Sequence, residues 1–155
     1  MWLVITWAFC DGGVGALFGI VIVGHGQFAT GLRSVVEMIA GDQPAIEYVS
    51  FHPSDSVDDL QARIREAVSR VSGGGDGVLF LVDLVGGSPF QASATVASQH
   101  GEDAVVIAGA NVPMILELVM RRDTVSLREA VRVAVETGRS GIVRYEAAQG
   151  RVERE

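Results

Sequence analysis

Two uninterrupted apolar runs, Ile20-Val21-Ile22-Val23 and Val78-Leu79-Phe80-Leu81-Val82, limit the folds open to this chain more than any other feature. A strand with one wet face alternates apolar and polar residues. A short run with no alternation must be covered on both faces. Each run leads into a glycine-containing turn and then into residues at helical spacing. Strand, turn and helix keep alternating in this way, which predicts an α/β fold: a parallel sheet with helices on both faces.

The elements read off in order. Residues 19–24 form the first strand. Phe28, Leu32, Val35, Val36 and Ile39 recur at helical spacing, with Gly41 as the stop. Residues 45–51 form a second strand that Pro53 ends. Ser56-Val57-Asp58-Asp59 approximates a capping box ahead of Leu60, Ile64, Ala67, Val68 and Val71, and Gly73-Gly74-Gly75 closes that helix. Residues 77–83 are the third strand. Ser88-Pro89-Phe90-Gln91 then opens a helix, with Ser88 as N-cap and Pro89 in the first helical position. It runs to about Gln99 and ends at Gly101. Residues 104–108 form the fourth strand, followed by a short helix through Met114, Leu118 and Met120. Ser126 and Glu129 make another capping box, with Gly138 as the stop of that helix. Residues 141–145 are a last short strand, and 147–155 a polar, frayed tail.

The chain has 155 residues and a formal charge of −7, enough for one domain and the wrong sign for binding nucleic acid. All twelve basic residues are arginine. Without lysine there is no Walker A loop, no Schiff-base chemistry and no Ser–Lys pair. One cysteine, Cys10, allows no internal disulfide and fits a reducing compartment such as the cytoplasm. The histidines are scattered and show no metal-ligand spacing, so neither a metal nor another cofactor is expected. The apolar stretch at residues 1–10 is too short to span a bilayer and lacks a basic flank. Residues 1–18 are therefore expected to be an extension, such as a misplaced start or a disordered arm, ahead of a domain at 19–146.

Right-handed crossovers bring the ends of strands one and three to one edge, where α/β proteins bind ligands. His25 and Asp83 become neighbours there. A neutral imidazole is a nucleophile near neutral pH. A carboxylate on its other nitrogen fixes the tautomer and stabilises developing positive charge. Backbone N–H groups at Gly87 and Ser88, where a helix begins, form an anion site, and Gly24 and Gly26 leave room for a phosphate. Singly, each feature is an ordinary strand end or turn; jointly they point to phosphoryl transfer. Dinucleotide binding is the rival, because Gly24-His25-Gly26-Gln27-Phe28-Ala29 matches G-x-G-x-x-A. The acidic residue that motif needs is absent from the end of strand two, where His52-Pro53 sits.

The blocks Asp83-Leu84-Val85-Gly86-Gly87-Ser88-Pro89-Phe90, Ala108-Gly109-Ala110-Asn111-Val112-Pro113-Met114 and Glu136-Thr137-Gly138-Arg139, with the strand and turn around His25, carry a family resemblance. The chain resembles the enzyme IIA domain of the mannose/fructose/sorbose family of the bacterial phosphoenolpyruvate:sugar phosphotransferase system (PTS). The resemblance implies a phosphohistidine relay. Phospho-HPr would donate to Nε2 of His25, and His25 would pass the group to a cognate enzyme IIB. Asp83 would orient the ring, and Ser88, Gly87 and Gly26 would hold the phosphate. The implied fold is a doubly wound, mostly parallel sheet whose last strand, 141–145, is antiparallel and exchanged in a homodimer. A free-standing IIA would reach the membrane only through separate IIC and IID subunits. A regulatory or nucleotide-sensing module, or a phosphocarrier for a dihydroxyacetone kinase system, is the alternative. The acidic balance suggests that complementary charge speeds encounter with the donor. Arg33, Arg121 and Arg122 receive no catalytic role, His52 and His100 are assigned to the surface, and Met38 and Met114 to the core.

Overall fold

Four parallel strands in the order β2-β1-β3-β4 carry the molecule, a computed structural model that describes residues 18–72, 77–147 and 151–154. They are β1 (Gly19–His25), β2 (Ile46–Phe51), β3 (Val78–Val82) and β4 (Ala104–Ala108). The register sets Val23 beside Val49 on one side and Val82 on the other. β1 runs on for two more residues, so that His25 stands opposite Phe51 of β2. Residue 83 therefore emerges from β3 at the level of Gly24, one residue before His25.

Five helices cover the sheet: α1 (Phe28–Ala40), α2 (Val57–Val71), α3 (Ser88–Ala97), α4 (Val112–Arg121) and α5 (Leu127–Ser140). Successive strand residues point to opposite faces. Ile20, Ile22, Leu79 and Leu81 pack with residues of α1, α4 and α5. Val21, Val23, Phe80 and Val82 pack with residues of α2 and α3. All eight are fully buried, which is why neither run alternates. Full burial of such side chains stabilises by about 1.5–3 kcal/mol each. Phe18 is also fully buried, so the core begins one residue before the domain boundary expected from sequence.

Most helix ends follow the predicted chemistry. Ser56 Oγ accepts the Asp59 N–H at 3.1 Å, and Asp59 Oδ2 accepts the Ser56 N–H at 3.3 Å, completing the box at α2. Ser126 Oγ accepts the Glu129 N–H, but the Glu129 carboxylate turns to Arg132, so only half a box forms at α5. Gly138 does not stop α5; the helix continues to Ser140. A Cβ on Gly138 would lie 2.7 Å from Met114 Cε, so the glycine serves the contact between α4 and α5. Met38 is 84% exposed, against the core position expected for it, whereas Met114 is buried. Ile39 and Met120, counted with apolar faces, are exposed as well.

Beyond α5, β5 (Val143–Glu146) pairs antiparallel with β6 (Arg151–Arg154) in a separate two-stranded sheet. Residues 151–154 thus form a strand where a frayed tail was expected. Among the described residues no helix is long and apolar enough to cross a membrane. The apolar stretch at residues 1–10 and the loop Gly73-Gly74-Gly75 lie outside the described residues.

Candidate active site

One carboxylate ties the ends of β1 and β3 together. The His25 backbone N–H donates to Asp83 Oδ2 at 2.9 Å, and His25 Nδ1 lies 2.7 Å from the same oxygen. The Leu84 N–H donates to Asp83 Oδ1 at 2.8 Å. Both carboxylate oxygens are therefore engaged, and the His25 ring is held at its backbone and at Nδ1 together. The Asp83 side chain is 11% exposed and that of His25 43%. Burial works to raise the Asp83 pKa, but the hydrogen bonds from the His25 backbone and ring and from Leu84 outweigh it and hold the carboxyl below its usual range. An ionised Asp83 can only accept, so Nδ1 carries the proton and Nε2 keeps its lone pair. The Phe51 ring meets the imidazole edge-on, with centroids 5.9 Å apart.

The free edge of the ring borders the start of α3. A Cβ on Gly87 would lie 2.8 Å from His25 Cε1 and 3.3 Å from Nε2. Gly87 rather than Ser88 is the N-cap: its backbone is extended, its carbonyl accepts the Gln91 N–H at 3.0 Å, and Ser88 is already the first helical residue. Ser-Pro suits either alignment, since Pro89 is tolerated anywhere in the first turn, where an N–H has no partner to lose. Among the described residues nothing accepts from the N–H groups of Gly86, Gly87, Ser88 or Phe90, and the Ser88 hydroxyl makes no hydrogen bond. Free amides at a helix N-terminus favour an anion, and the first of them belongs to the turn whose Gly87 borders the Cε1–Nε2 edge of the ring.

The turn after β1 is built differently. A Cβ on Gly24 would lie 2.4 Å from Phe28 Cδ1, so this glycine admits the packing of Phe28 instead of leaving room for a phosphate. Gly26 adopts φ +54°, and its N–H donates to the Phe51 carbonyl at 2.7 Å. It supplies a left-handed turn and open space but no free donor. The same bond makes the Gly26 N–H unavailable to a dinucleotide phosphate.

Further residues hold the site from behind and received no role from sequence. The N–H groups of Gly109 and Ala110 both donate to the Val82 carbonyl, at 3.0 and 2.9 Å, fixing the residue before Asp83. Asn111 caps α4 by accepting the Met114 N–H at 3.1 Å and donates Nδ2 to the Gly109 and Gly138 carbonyls. An Asn followed two residues later by Pro is a legible N-cap signal. Arg33 and Arg121 pair with Glu37 and Glu117 on their own helices. Arg122 is buried, and burial lowers its pKa. His52 and His100 are exposed, as expected. A shallow surface groove of about 610 Å³ lies along α5 from Val131 to Ser140 and includes no residue of the His25 edge. The His25 edge is thus an open ledge with one fixed imidazole, one largely buried carboxylate and a row of amides without acceptors among the described residues.

The chain is similar to known proteins in sequence and fold. Residues 19–135 match the family model described as "PTS system fructose IIA component". The mannose-specific EIIAB component of Escherichia coli (strain K12) is 40% identical over 126 residues, covering 79% of this chain and 38% of that protein. This chain therefore spans well under half the length of that relative. The fructose-specific EIIA component of Bacillus subtilis (strain 168) is 31% identical over 114 residues, covering 73% of this chain and 76% of the relative. The crystal structure of the phosphotransferase system component EIIA from Streptococcus agalactiae superposes with a TM-score of 0.76 at 28% identity, over 83% of this chain and 97% of that one. The chain belongs to the mannose/fructose/sorbose family of PTS enzyme IIA components.

Proposed function

We propose that this protein is a phosphocarrier of the sugar phosphotransferase system, taking a phosphoryl group from phospho-HPr onto Nε2 of His25 and passing it to a cognate enzyme IIB. The observation that carries the reading is the 2.7 Å bond between His25 Nδ1 and Asp83, which leaves Nε2 as the nucleophile beside the free amides of α3. The lone pair of Nε2 attacks phosphorus as the donor's nitrogen–phosphorus bond breaks, and the electron pair of that bond returns to the donor's imidazole. The ring gains positive charge, which Asp83 stabilises. Negative charge on the phosphoryl oxygens meets the N–H groups of Gly87, Ser88 and Phe90. The second transfer to enzyme IIB repeats the step in reverse. No proton has to leave Nδ1 at any point, so Asp83 acts by charge and orientation.

The domain that does this covers residues 19–146, with Phe18 just ahead of it buried in the same core. Its working unit is a homodimer in which the last strand crosses to the partner. Exposed Ile142, Val143 and Tyr145 support that arrangement, as do the half-buried apolar residues Val105 and Val106 on the outer strand β4. A monomer mass by light scattering would rule it out. Membrane contact is indirect, through the IIC and IID subunits.

The relay is tested with phosphoenolpyruvate, enzyme I and HPr, scored by intact mass. Wild type gains one phosphate that is acid-labile and base-stable. His25→Ala gains none and keeps its circular dichroism spectrum, because the exposed ring contributes little to the core. Full labelling of His25→Ala would overturn the reading.

A further inference from the structure

The turn that holds Asp83 from behind is itself held by one side chain. The Val82 carbonyl accepts two N–H groups, from Gly109 at 3.0 Å and from Ala110 at 2.9 Å. Gly109 takes φ +86°, which turns the chain sharply after β4 so that both reach one oxygen. Asn111 follows directly. Its Oδ1 accepts the Met114 N–H at 3.1 Å, and its Nδ2 donates to the Gly109 carbonyl at 3.3 Å and the Gly138 carbonyl at 3.2 Å. An asparagine amide has two N–H donors, and both are engaged here. Gly138 lies in the last turn of α5, where carbonyls have no donor within the helix. One amide therefore joins the start of α4, the end of α5 and the turn after β4. Two glycines at the end of α5 admit this joint. A Cβ on Gly138 would lie 3.3 Å from Asn111 Nδ2, and one on Gly141 would lie 2.6 Å from Pro113 Cγ.

We infer that Asn111 is a positioning residue for the reaction at His25. Its amide anchors the Gly109 turn to α5, the turn fixes the Val82 carbonyl, and that carbonyl sets the direction of the Asp83 carboxylate. The inference rests on the phosphohistidine reading. The path is short: Asp83 adjoins Val82, and Asp83 Oδ2 accepts from the His25 backbone N–H and bonds Nδ1. A tilt of the peptide after Val82 moves that oxygen off the ring. The imidazole is then free to place its proton on Nε2, where no lone pair is left to attack phosphorus. Misplacing a reacting group by about 1 Å can cost about 10²-fold in rate, so a fraction of that shift is enough to read. No other side chain does the same work. Ser and Asp keep an acceptor for the Met114 N–H but have no NH₂ to span two carbonyls, and Gln is one methylene too long.

The test separates this bridging from simple helix capping. Asn111→Ser and Asn111→Asp keep a good N-cap for α4 and lose the two-donor amide, whereas Asn111→Ala loses both. Each variant is labelled with phospho-HPr over a range of concentrations. In the unphosphorylated proteins, the ¹⁵N shifts of the His25 ring at mildly alkaline pH report the tautomer. In all three variants kcat is expected to fall about tenfold with KM changed less than about twofold, the pattern of lost geometry rather than lost binding. The Nε2–H tautomer is expected to rise with it. If Asn111→Ser and Asn111→Asp match wild type in kcat and tautomer and Asn111→Ala alone is impaired, Asn111 is only a helix cap and the inference is overturned. A reduced kcat with the wild-type tautomer overturns it as well, because the effect does not then pass through the ring. Should the Asn111 variants fail to fold, Gly138→Ala presses on the same amide from α5. It is expected to lower kcat about threefold with the same change of tautomer, and wild-type values for both overturn the inference. No phosphate on wild-type His25 overturns the phosphohistidine reading itself, and the role of Asn111 in the reaction falls with it.

Discussion

Two glycine-rich turns meet at the functional edge, and they do opposite work. The turn Gly24-His25-Gly26 is closed: Phe28 fills the space above Gly24, and the Phe51 carbonyl takes the Gly26 N–H. The turn Gly86-Gly87-Ser88 is open: its amides have no acceptor among the described residues, and Gly87 has no Cβ because the His25 ring occupies that side. The first turn holds the His25 ring still, and the second leaves its donors unsatisfied; on the proposed relay these are the nucleophile and the anion site. A nucleophile held in advance needs little reorganisation when it reacts, and preorganised donors act most strongly where charge develops. A glycine pair in sequence does not say which of these two tasks it serves; its neighbours in space do.

Asp83 is the link between the turns, since one oxygen holds His25 and the other holds Leu84. Replacing it is the strongest way to uncouple them. Asp83→Asn keeps the shape but removes the charge, and an amide can present its N–H₂ to the ring and force the other tautomer. The rate of His25 phosphorylation is expected to fall about 10²–10⁴-fold, the range for loss of a carboxylate that orients a catalytic imidazole. Rapid-quench labelling with phospho-HPr measures it. A loss below about threefold would mean that the ring is oriented by Phe51 and the backbone alone.

Alanine at the two turns should then give opposite phenotypes. At Gly24 a Cβ meets Phe28 at 2.4 Å and cannot be accommodated by a side-chain tip, since Phe28 Cβ itself is only 2.9 Å away. Gly24→Ala is expected to cost about 3 kcal/mol of stability, the upper range for overpacking, measured by urea denaturation. At Gly87 the obstacle is the ring: Gly87→Ala displaces His25 from Asp83 and should slow phosphorylation about tenfold, a 1.4 kcal/mol change in barrier, with stability nearly unchanged. If Gly87→Ala instead unfolds the protein and Gly24→Ala leaves it stable, the assignment of the two turns is reversed.

Sequence carried the sheet and the His25–Asp83 pair because both follow from strong, local patterns. Fully apolar runs exclude a wet face, and crossover handedness puts the ends of β1 and β3 together. The Ser56–Asp59 box was legible for the same reason: both partners lie within one turn. What sequence could not carry was the reason for each glycine. Gly138 reads as a helix stop, yet its role is contact with Met114, a residue on another helix. Gly24 reads as room for a ligand and is room for Phe28. The cap of α3 slipped by one residue because Gly87-Ser88-Pro89 satisfies two alignments, and only the Gln91 bond to Gly87 decides between them. Met38 has helical spacing toward the core yet lies on the exposed side of α1. β6 escaped notice because Arg151-Val152-Glu153-Arg154 is short and polar, and its pairing with β5 is tertiary information.

The smallest expected effect concerns what Asp83 does for the fold itself. Its folded pKa lies below the ordinary 3.8: burial alone would raise it, and the bonds from His25 and Leu84 more than offset that. A carboxyl depressed on folding stabilises the native state above its unfolded pKa, and the contribution is lost as pH falls through the folded value. Wild type should therefore exceed Asp83→Asn in stability at neutral pH by a margin that is flat down to about pH 4. Below that the margin should shrink as Asp83 takes up a proton. Asp55 and Glu129 are depressed as well, through His52 and Arg63 and through Arg132 respectively, so both proteins lose stability in acid. Those groups are common to the two chains and cancel in the difference, which leaves Asp83. Urea titrations of both proteins at closely spaced acid pH values measure the margin. A margin that stays constant through that range would mean that the bonds from His25 and Leu84 do not favour the ionised carboxyl, and the two turns would then be joined by geometry without charge.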